Sequence, residues 1–218
     1  MDIQVRKAIP YEEVDTATLR QALSRYSSPD DKIVDMTRRG ELLRVRKGLY
    51  AVAPGCRQSP LSLEILANAL YGPSYISLEY ALSWYGMIPE RVTELTSVCL
   101  GRSRRFSTEV GNFSYCSIKK AAYTDGYGLI SMPDGRSFLM ATREKALVDI
   151  VENRRNITIR SIKEMRMRLV EDLRMDETML LELNVEQVAH YASFYGSLKT
   201  KLLVSFLTAL TENRKRAK

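Results

Sequence analysis

The segment that most constrains the fold is residues 28–52, SPDDKIVDMTRRGELLRVRKGLYAV. Ser28 and Pro29 suit the start of a helix, because serine can cap free N–H groups there and proline has no N–H to leave unpaired. Gly40 suits the end of that helix, since glycine readily adopts the left-handed conformation that closes it. Residues 43–46 then alternate apolar with basic side chains, as a strand with one apolar and one basic face does. The segment predicts a short helix followed by a basic β-hairpin.

A second helix is predicted just upstream, over residues 17–26, with Asp15 as its cap and Leu19 on its inner face. Winged helices contact DNA through a helix and the basic hairpin that follows it. We therefore expect a winged helix-turn-helix unit over residues 1–53 that binds double-stranded promoter DNA. Winged helices usually contain three helices, so the third is short, absent or supplied by later sequence.

Positive charge is unevenly placed in this chain, whose formal net charge is +7. Clustered basic residues suggest a polyanionic partner, although a lone basic cluster is more often a solvated face. Three acids, Asp30, Asp31 and Asp35, lie on the second helix and disfavour its close approach to phosphate. The hairpin is therefore expected to supply most of the affinity for DNA. The predicted DNA-binding residues are Lys32, Thr37, Arg38, Arg39, Arg44, Arg46 and Lys47.

The rest of the chain predicts a mixed α/β domain and then a helical region. A stretch rich in turn-forming residues, 54–60, is expected to be a linker at which the two functions separate. Beyond it we expect a mixed α/β antitoxin domain over residues 61–158 and a helical C-terminal region over residues 159–218. The predicted fold class is α+β, with helices at 61–70, 77–85 and 146–151 and strands at 96–100, 113–118, 128–132 and 138–141.

Several classes of protein are disfavoured by composition. The three cysteines, Cys56, Cys99 and Cys116, are scattered and contain no CxxC pair, which argues against a zinc site and a disulfide framework. The sequence has no apolar run long enough to span a bilayer and no secretory signal at its start. We expect a cytoplasmic protein with no membrane partner, no metal, no cofactor and no small-molecule substrate.

The most enzyme-like constellation is Asp134 followed by Glu144 and Lys145, which approximates the two acids and lysine of metal-dependent nucleases. The spacing is wrong by one residue, because that motif separates its second acid from the lysine. Lys145 and Asp149 are instead expected to form an exposed i,i+4 ion pair on a surface helix. We therefore predict no catalytic residues and no enzyme activity, and an active or degenerate nuclease is the less favoured alternative.

Aromatic side chains are concentrated in residues 71–85, where a core cluster is favoured over a stacking platform for bases or a partner. The cluster comprises Tyr71, Tyr75, Tyr80, Trp84 and Tyr85. His190, the one histidine, is expected to be packed or hydrogen-bonded, since no nucleophile or second base can be paired with it.

Three motifs resemble the AbiEi-type antitoxins of abortive-infection toxin–antitoxin systems. The first lies in residues 28–52 and the second, GPSYISLEYALSWYGMIPE, in residues 72–90. The third is TREKALVD in residues 142–149, and residues 195–199 resemble the C-terminal end of the family. The motifs occur in the expected order and span most of the chain.

The resemblance implies a winged-helix repressor domain joined to a larger antitoxin domain. Such proteins are encoded beside a toxin with a nucleotidyltransferase fold, counteract it directly or indirectly, and repress the promoter that both genes share. The sequence departs from the family at Asp35, where a basic residue is usual. An orphan DNA-binding regulator without a toxin is the alternative, and the identity of the neighbouring gene distinguishes the two.

Overall fold

Two β-sheets organise the chain in the computed structural model, which describes residues 1–153 and 158–216. The first sheet is antiparallel, with strand order β1-β3-β2, and it belongs to the N-terminal unit, residues 1–53. The elements of this unit are helix α1 (Ile3–Ala8), strand β1 (Glu13–Asp15), helices α2 (Thr16–Ala22) and α3 (Pro29–Arg38), and strands β2 (Leu42–Arg46) and β3 (Leu49–Val52).

The second sheet has six strands and lies in the second unit, residues 61–216. Its elements are α4 (Leu63–Leu70), β4 (Ser74–Ile76), α5 (Leu78–Trp84), β5 (Leu95–Cys99), β6 (Arg104–Thr108), β7 (Gly111–Ser117), α6 (Lys120–Tyr123), β8 (Tyr127–Ser131), β9 (Ser137–Ala141) and α7 (Arg143–Asn153). The strand order is β6-β7-β5-β4-β9-β8, in which the β5–β7 and β4–β9 pairs are parallel.

The remaining helices follow the sheet. They are α8 (Ile162–Arg166), which continues into a π-helical turn (Met167–Asp172), α9 (Glu177–Leu181), α10 (Val185–Tyr195) and α11 (Leu198–Arg216). The architecture is mixed α/β with a helical C-terminal part, which confirms the predicted combination. Within the described ranges, no helix has both the length and the apolar character needed to cross a lipid bilayer.

Local residue preferences determine most of the helix ends and the turn in the segment 28–52. Gly40 ends α3 at φ +68°, and Gly48 turns the basic hairpin (strands β2 and β3) at φ +86°, both in the left-handed region. Pro29 occupies the first turn of α3 as predicted. Ser28 differs from the prediction, because its hydroxyl donates to the Asp31 carboxylate instead of capping a backbone N–H.

The first sheet contributes to two hydrophobic cores, one on each face. Val52 packs in the smaller core with Leu19, Leu23 and other residues of the N-terminal unit. On the opposite face, Leu49 and Ala51 pack in the larger core of the second unit, since successive residues of a strand point to opposite sides. The sequence predicted one apolar and one basic face for the hairpin, and the structure instead buries apolar side chains on both.

The predicted linker, residues 54–60, connects the two units but is held in place by hydrogen bonds. Its first residues form a 3₁₀ turn (Pro54–Cys56). The backbone N–H groups of Gln58 and Ser59 donate to the buried Glu12 carboxylate at 3.0 and 2.9 Å. The Arg6 guanidinium, which also pairs with Glu12, donates to the Cys56 carbonyl. The segment therefore packs against the N-terminal unit, and the separation of functions at this point stays a prediction.

Because the first sheet is shared between the cores, we expect the two units to unfold together. Leu49→Ala removes a side chain from the larger core and Leu23→Ala removes one from the smaller core. Each should lower the free energy of unfolding by about 2–5 kcal/mol. Differential scanning calorimetry should show one transition for the parent and for both variants. A separate low-temperature transition in Leu23→Ala alone would show that the units unfold independently.

Candidate nucleic-acid interface

The basic residues predicted on α3 are gathered around one acid. The Asp35 carboxylate lies 3.0 Å from Arg38 Nη2, 3.2 Å from Arg39 Nη2 and 3.5 Å from Lys32 Nζ. The hydrogen bond from Arg38 is the main reason that the pKa of Asp35 lies below its usual value. Arg39 also pairs with Glu41 at 3.3 Å. Much of the positive charge on this helix is thus balanced within the helix and at its end.

Two other predicted contact residues of α3 are engaged within the N-terminal unit. The Lys32 ammonium lies 5.2 Å from the centre of the Tyr26 ring, and its side chain is only 22% exposed. The Thr37 hydroxyl donates to the Ile33 carbonyl one turn earlier at 2.8 Å. Neither group projects freely from the helix, whereas Arg38 is well exposed.

The basic hairpin differs from α3 in having exposed cations without acidic partners. Arg44, Arg46 and Lys47 are all exposed, and none forms an ion pair with any other residue that the structure describes. Arg46 lies near the second unit, since its charge opposes the rise that burial causes in the pKa of Tyr115. These three residues form the strongest uncompensated positive charge at the predicted interface.

Val34 is a surface residue that the sequence analysis missed. It lies on α3 between the buried Ile33 and the partly exposed Asp35, and it is 67% exposed. The helical period could have identified it, because Ile33 and Met36 face the core and the position between them that points away must face solvent. An apolar side chain there is available to contact a thymine methyl group in the major groove.

A buried ionic cluster lies in the second unit, at the third resemblance motif. The Asp149 carboxylate accepts hydrogen bonds from Lys145 Nζ, from Ser77 Oγ at 2.8 Å and from the Tyr195 hydroxyl at 2.6 Å. The Tyr75 hydroxyl lies 3.5 Å away on the same carboxylate. Lys145 and Asp149 are completely inaccessible to solvent. The predicted exposed ion pair is therefore wrong in its location, although the i,i+4 pairing itself is present.

Aromatic rings and a glycine enclose the lysine of this cluster. The Lys145 ammonium lies 5.3 Å from the Tyr195 ring centre and 5.6 Å from that of Tyr75. Burial lowers the pKa of Lys145 more than the nearby Asp149 charge raises it. Gly126, at φ +87°, passes so close that an added Cβ would lie 2.8 Å from Lys145 Cδ. The close contact with the lysine side chain thus explains the glycine at position 126.

The acids of the nuclease-like constellation are engaged in separate places. Asp134 pairs with Arg136 at 2.7 Å in the turn between β8 and β9. Glu144 is buried and accepts the backbone N–H of Asn184 at 3.3 Å. In the described part of the chain, no three His, Cys, Asp or Glu side chains are arranged to hold a metal ion. The lack of enzyme activity stays a prediction.

The aromatic cluster and the histidine follow the predictions in part. Tyr75 is fully buried and stacks on Tyr127 with ring centres 4.3 Å apart, as expected of a core residue. Trp84, in contrast, is 49% exposed and contacts the Phe138 ring edge-on. His190 is hydrogen-bonded as predicted, with Nε2 at 2.8 Å from an oxygen of the exposed Asp125; its bond is the main reason that the pKa of Asp125 is lowered.

Comparison with models of known protein families and with curated protein sequences finds no match for this chain.

The packing around Lys145 gives a test with a matched control. Gly126 and Gly135 have similar conformations, φ +87° and +83°, so alanine should cost about 1–2 kcal/mol at each position from backbone strain. Nothing lies within 4 Å of a Cβ at Gly135. Gly126→Ala should cost about 1–3 kcal/mol more than Gly135→Ala, because its methyl group overpacks against Lys145. Chemical denaturation measures both, and equal losses would contradict the proposed contact.

Proposed function

We propose that this protein is a transcriptional autorepressor and antitoxin that binds promoter DNA through its N-terminal unit. The observation that carries the DNA-binding part is the basic hairpin, whose Arg44, Arg46 and Lys47 are exposed and without acidic partners in the described chain. The element order α1-β1-α2-α3-β2-β3 and the sheet order β1-β3-β2 are consistent with a winged helix. In that assignment α1 is the third helix that the sequence analysis left open.

In this proposal α3 approaches the major groove and the basic hairpin follows the adjacent backbone. The hairpin cations contact phosphates, which supplies affinity but little sequence information. Arg38 and Arg39 sit at the end of α3 that leads into the hairpin and reach the same backbone when Asp35 releases them. Val34 contributes an apolar contact to base edges, which favours a thymine at that position.

The antitoxin part of the proposal concerns the second unit and rests on the resemblance to AbiEi-type antitoxins. The third motif of that resemblance, residues 142–149, contains the buried Lys145–Asp149 pair. A stable, well-ordered second unit is what a protein needs to counteract a co-encoded nucleotidyltransferase-fold toxin, whether by direct contact or indirectly. The proposal includes no cofactor, no small-molecule substrate and no chemical step by this chain.

The basic hairpin should supply most of the DNA affinity. Replacing Arg44, Arg46 and Lys47 together with alanine should weaken binding to the upstream promoter fragment. It should also reduce the slope of log K against log salt by about 0.9 for each phosphate that the variant no longer neutralises. Fluorescence anisotropy at several salt concentrations measures both quantities. Unchanged affinity and slope would remove the hairpin from the interface.

Two variants on α3 serve as controls for that experiment. Replacing Lys32, Arg38 and Arg39 together with alanine removes the same amount of positive charge, but from groups whose charge Asp35 and Glu41 partly offset. Its effect on affinity and slope should be smaller than that of the hairpin variant. Asp35→Ala should act in the opposite direction and strengthen binding. A hairpin effect no larger than the α3 effect would show that net charge, and not the hairpin, determines binding.

Antitoxin function should be visible in cells. Expression of the neighbouring gene is expected to arrest growth if it encodes a nucleotidyltransferase-fold toxin, and co-expression of this protein should restore growth. The hairpin triple variant should still restore it while failing to repress the promoter. Co-purification of the two products would indicate direct contact, whereas rescue without it would indicate an indirect mechanism. Growth arrest that this protein does not relieve would favour the orphan-regulator alternative.

A further inference from the structure

An ion pair joins the N-terminal unit to the second unit at the edge of the first sheet. Arg136, in the β8–β9 turn, reaches across to the carboxylate of Glu13 in β1. The same carboxylate accepts the backbone N–H of Ser62, at the start of the second unit. The Arg136 guanidinium lies 4.8 Å from the centre of the Tyr11 ring. We call these four residues, Tyr11, Glu13, Ser62 and Arg136, the clasp.

The ion pair of the clasp is buried, unlike the exposed ion pairs on the surface of the protein. The side chain of Glu13 is 3% exposed and that of Arg136 is 10% exposed. The exposed pair between Arg20 and Asp30, in contrast, leaves both side chains more than half exposed. Pairs of that exposed kind contribute little, whereas removing one partner of a buried pair leaves an uncompensated charge.

The adjacent residues Glu12 and Glu13, at the start of β1, bind different parts of the molecule. Glu12 is fully buried and binds Arg6 together with the N–H groups of the segment 58–59, all on the side of the N-terminal unit. The Glu13 side chain points to the opposite face from that of Glu12. It binds Arg136 and Ser62, which both belong to the second unit. Glu12 therefore fixes the connecting segment, and Glu13 fixes how the N-terminal unit lies on the second unit.

Because the clasp and the basic hairpin lie on opposite edges of the same sheet, the clasp can affect the orientation of the proposed DNA interface. The first sheet has the order β1-β3-β2, so Glu13 lies on one edge strand and the cations of the basic hairpin lie at the other. Between them, Leu49 and Ala51 on β3 rest on the larger core. Apolar contact is non-directional, so an ionic contact with defined geometry at one edge adds a constraint on the rotation of the sheet.

We propose that Glu13 and Arg136 are positioning residues for DNA binding. They do not contact DNA themselves. They hold the N-terminal unit in one orientation on the second unit, and this orientation determines where the basic hairpin faces. This inference rests on the proposed function, because it assigns a role in DNA recognition.

Charge reversal tests the proposal on the full-length protein. Arg136→Glu places a third carboxylate beside those of Glu13 and Asp134 and should lower affinity for the promoter fragment by about tenfold, a change of about 1.4 kcal/mol. Adding Glu13→Arg restores an opposite pair across the same junction and should recover part of the lost affinity, because an arginine at position 13 cannot accept the Ser62 N–H. Recovery by the double variant would show that opposite charges across the junction, and not the identity of either side chain, determine affinity.

Asp134→Asn is the matched control. It removes the other carboxylate that Arg136 contacts, 2.7 Å away, but this contact lies within the β8–β9 turn and does not join the units. Its affinity for the promoter should equal that of the parent. If charge reversal prevents folding, the paired variant Glu13→Gln with Arg136→Gln removes both charges at once and should lower affinity by less than tenfold with a native circular dichroism spectrum.

Small-angle X-ray scattering of the DNA-free protein separates failure of this inference from failure of the proposed function. Arg136→Glu should broaden the distance distribution, and the double reversal should restore it, whether or not the parent binds promoter DNA. A parent protein that does not bind the promoter would reject the DNA-binding function alone. Folded Arg136→Glu with unchanged scattering and unchanged affinity would reject the positioning role.

Discussion

The Asp149 carboxylate is the point on which the architecture of the second unit depends. It accepts hydrogen bonds from a lysine on its own helix, a serine that follows β4 and a tyrosine at the end of α10. One anion therefore joins the sheet, helix α7 and the helical C-terminal part. In a site without water, each donor would be costly to leave unpaired, so the three elements are bound together as a set. The network therefore couples the positions of these three elements.

The first sheet attaches the N-terminal unit to the second unit. Because Leu49 and Ala51 pack on one face and Val52 on the other, the sheet is part of two cores at once. The connecting segment is held by Glu12 and the far edge by Glu13. The proposed DNA interface is thus attached to the second unit by apolar contact, by backbone hydrogen bonds and by an ion pair, and a disturbance in one unit has physical routes into the other.

The sequence predicted the segment 28–52 well because its signals are local. Gly40 and Gly48 have conformations that few other residues adopt, and their positions follow directly from that preference. The sequence failed at Lys145 and Asp149, since helical spacing shows that two residues share a face but not whether that face is covered. Charged side chains are rarely buried completely, so the exposed assignment followed the general rule. Strand β4 (Ser74–Ile76) was also missed, because three residues are too few to show a period.

The arrangement around Asp35 has a consequence for how such a protein would be distributed in a cell. Non-specific binding to chromosomal DNA comes almost entirely from cations that displace counterions from phosphates. A helix whose cations are partly offset by its own aspartate adds less to that background, and the hairpin cations supply most of the rest. The genome offers a very large number of competing sites, so a weaker background leaves a larger fraction of molecules off the chromosome. Under the proposed function, the Asp35 carboxylate on α3 would leave more molecules unbound and free for a second task away from DNA.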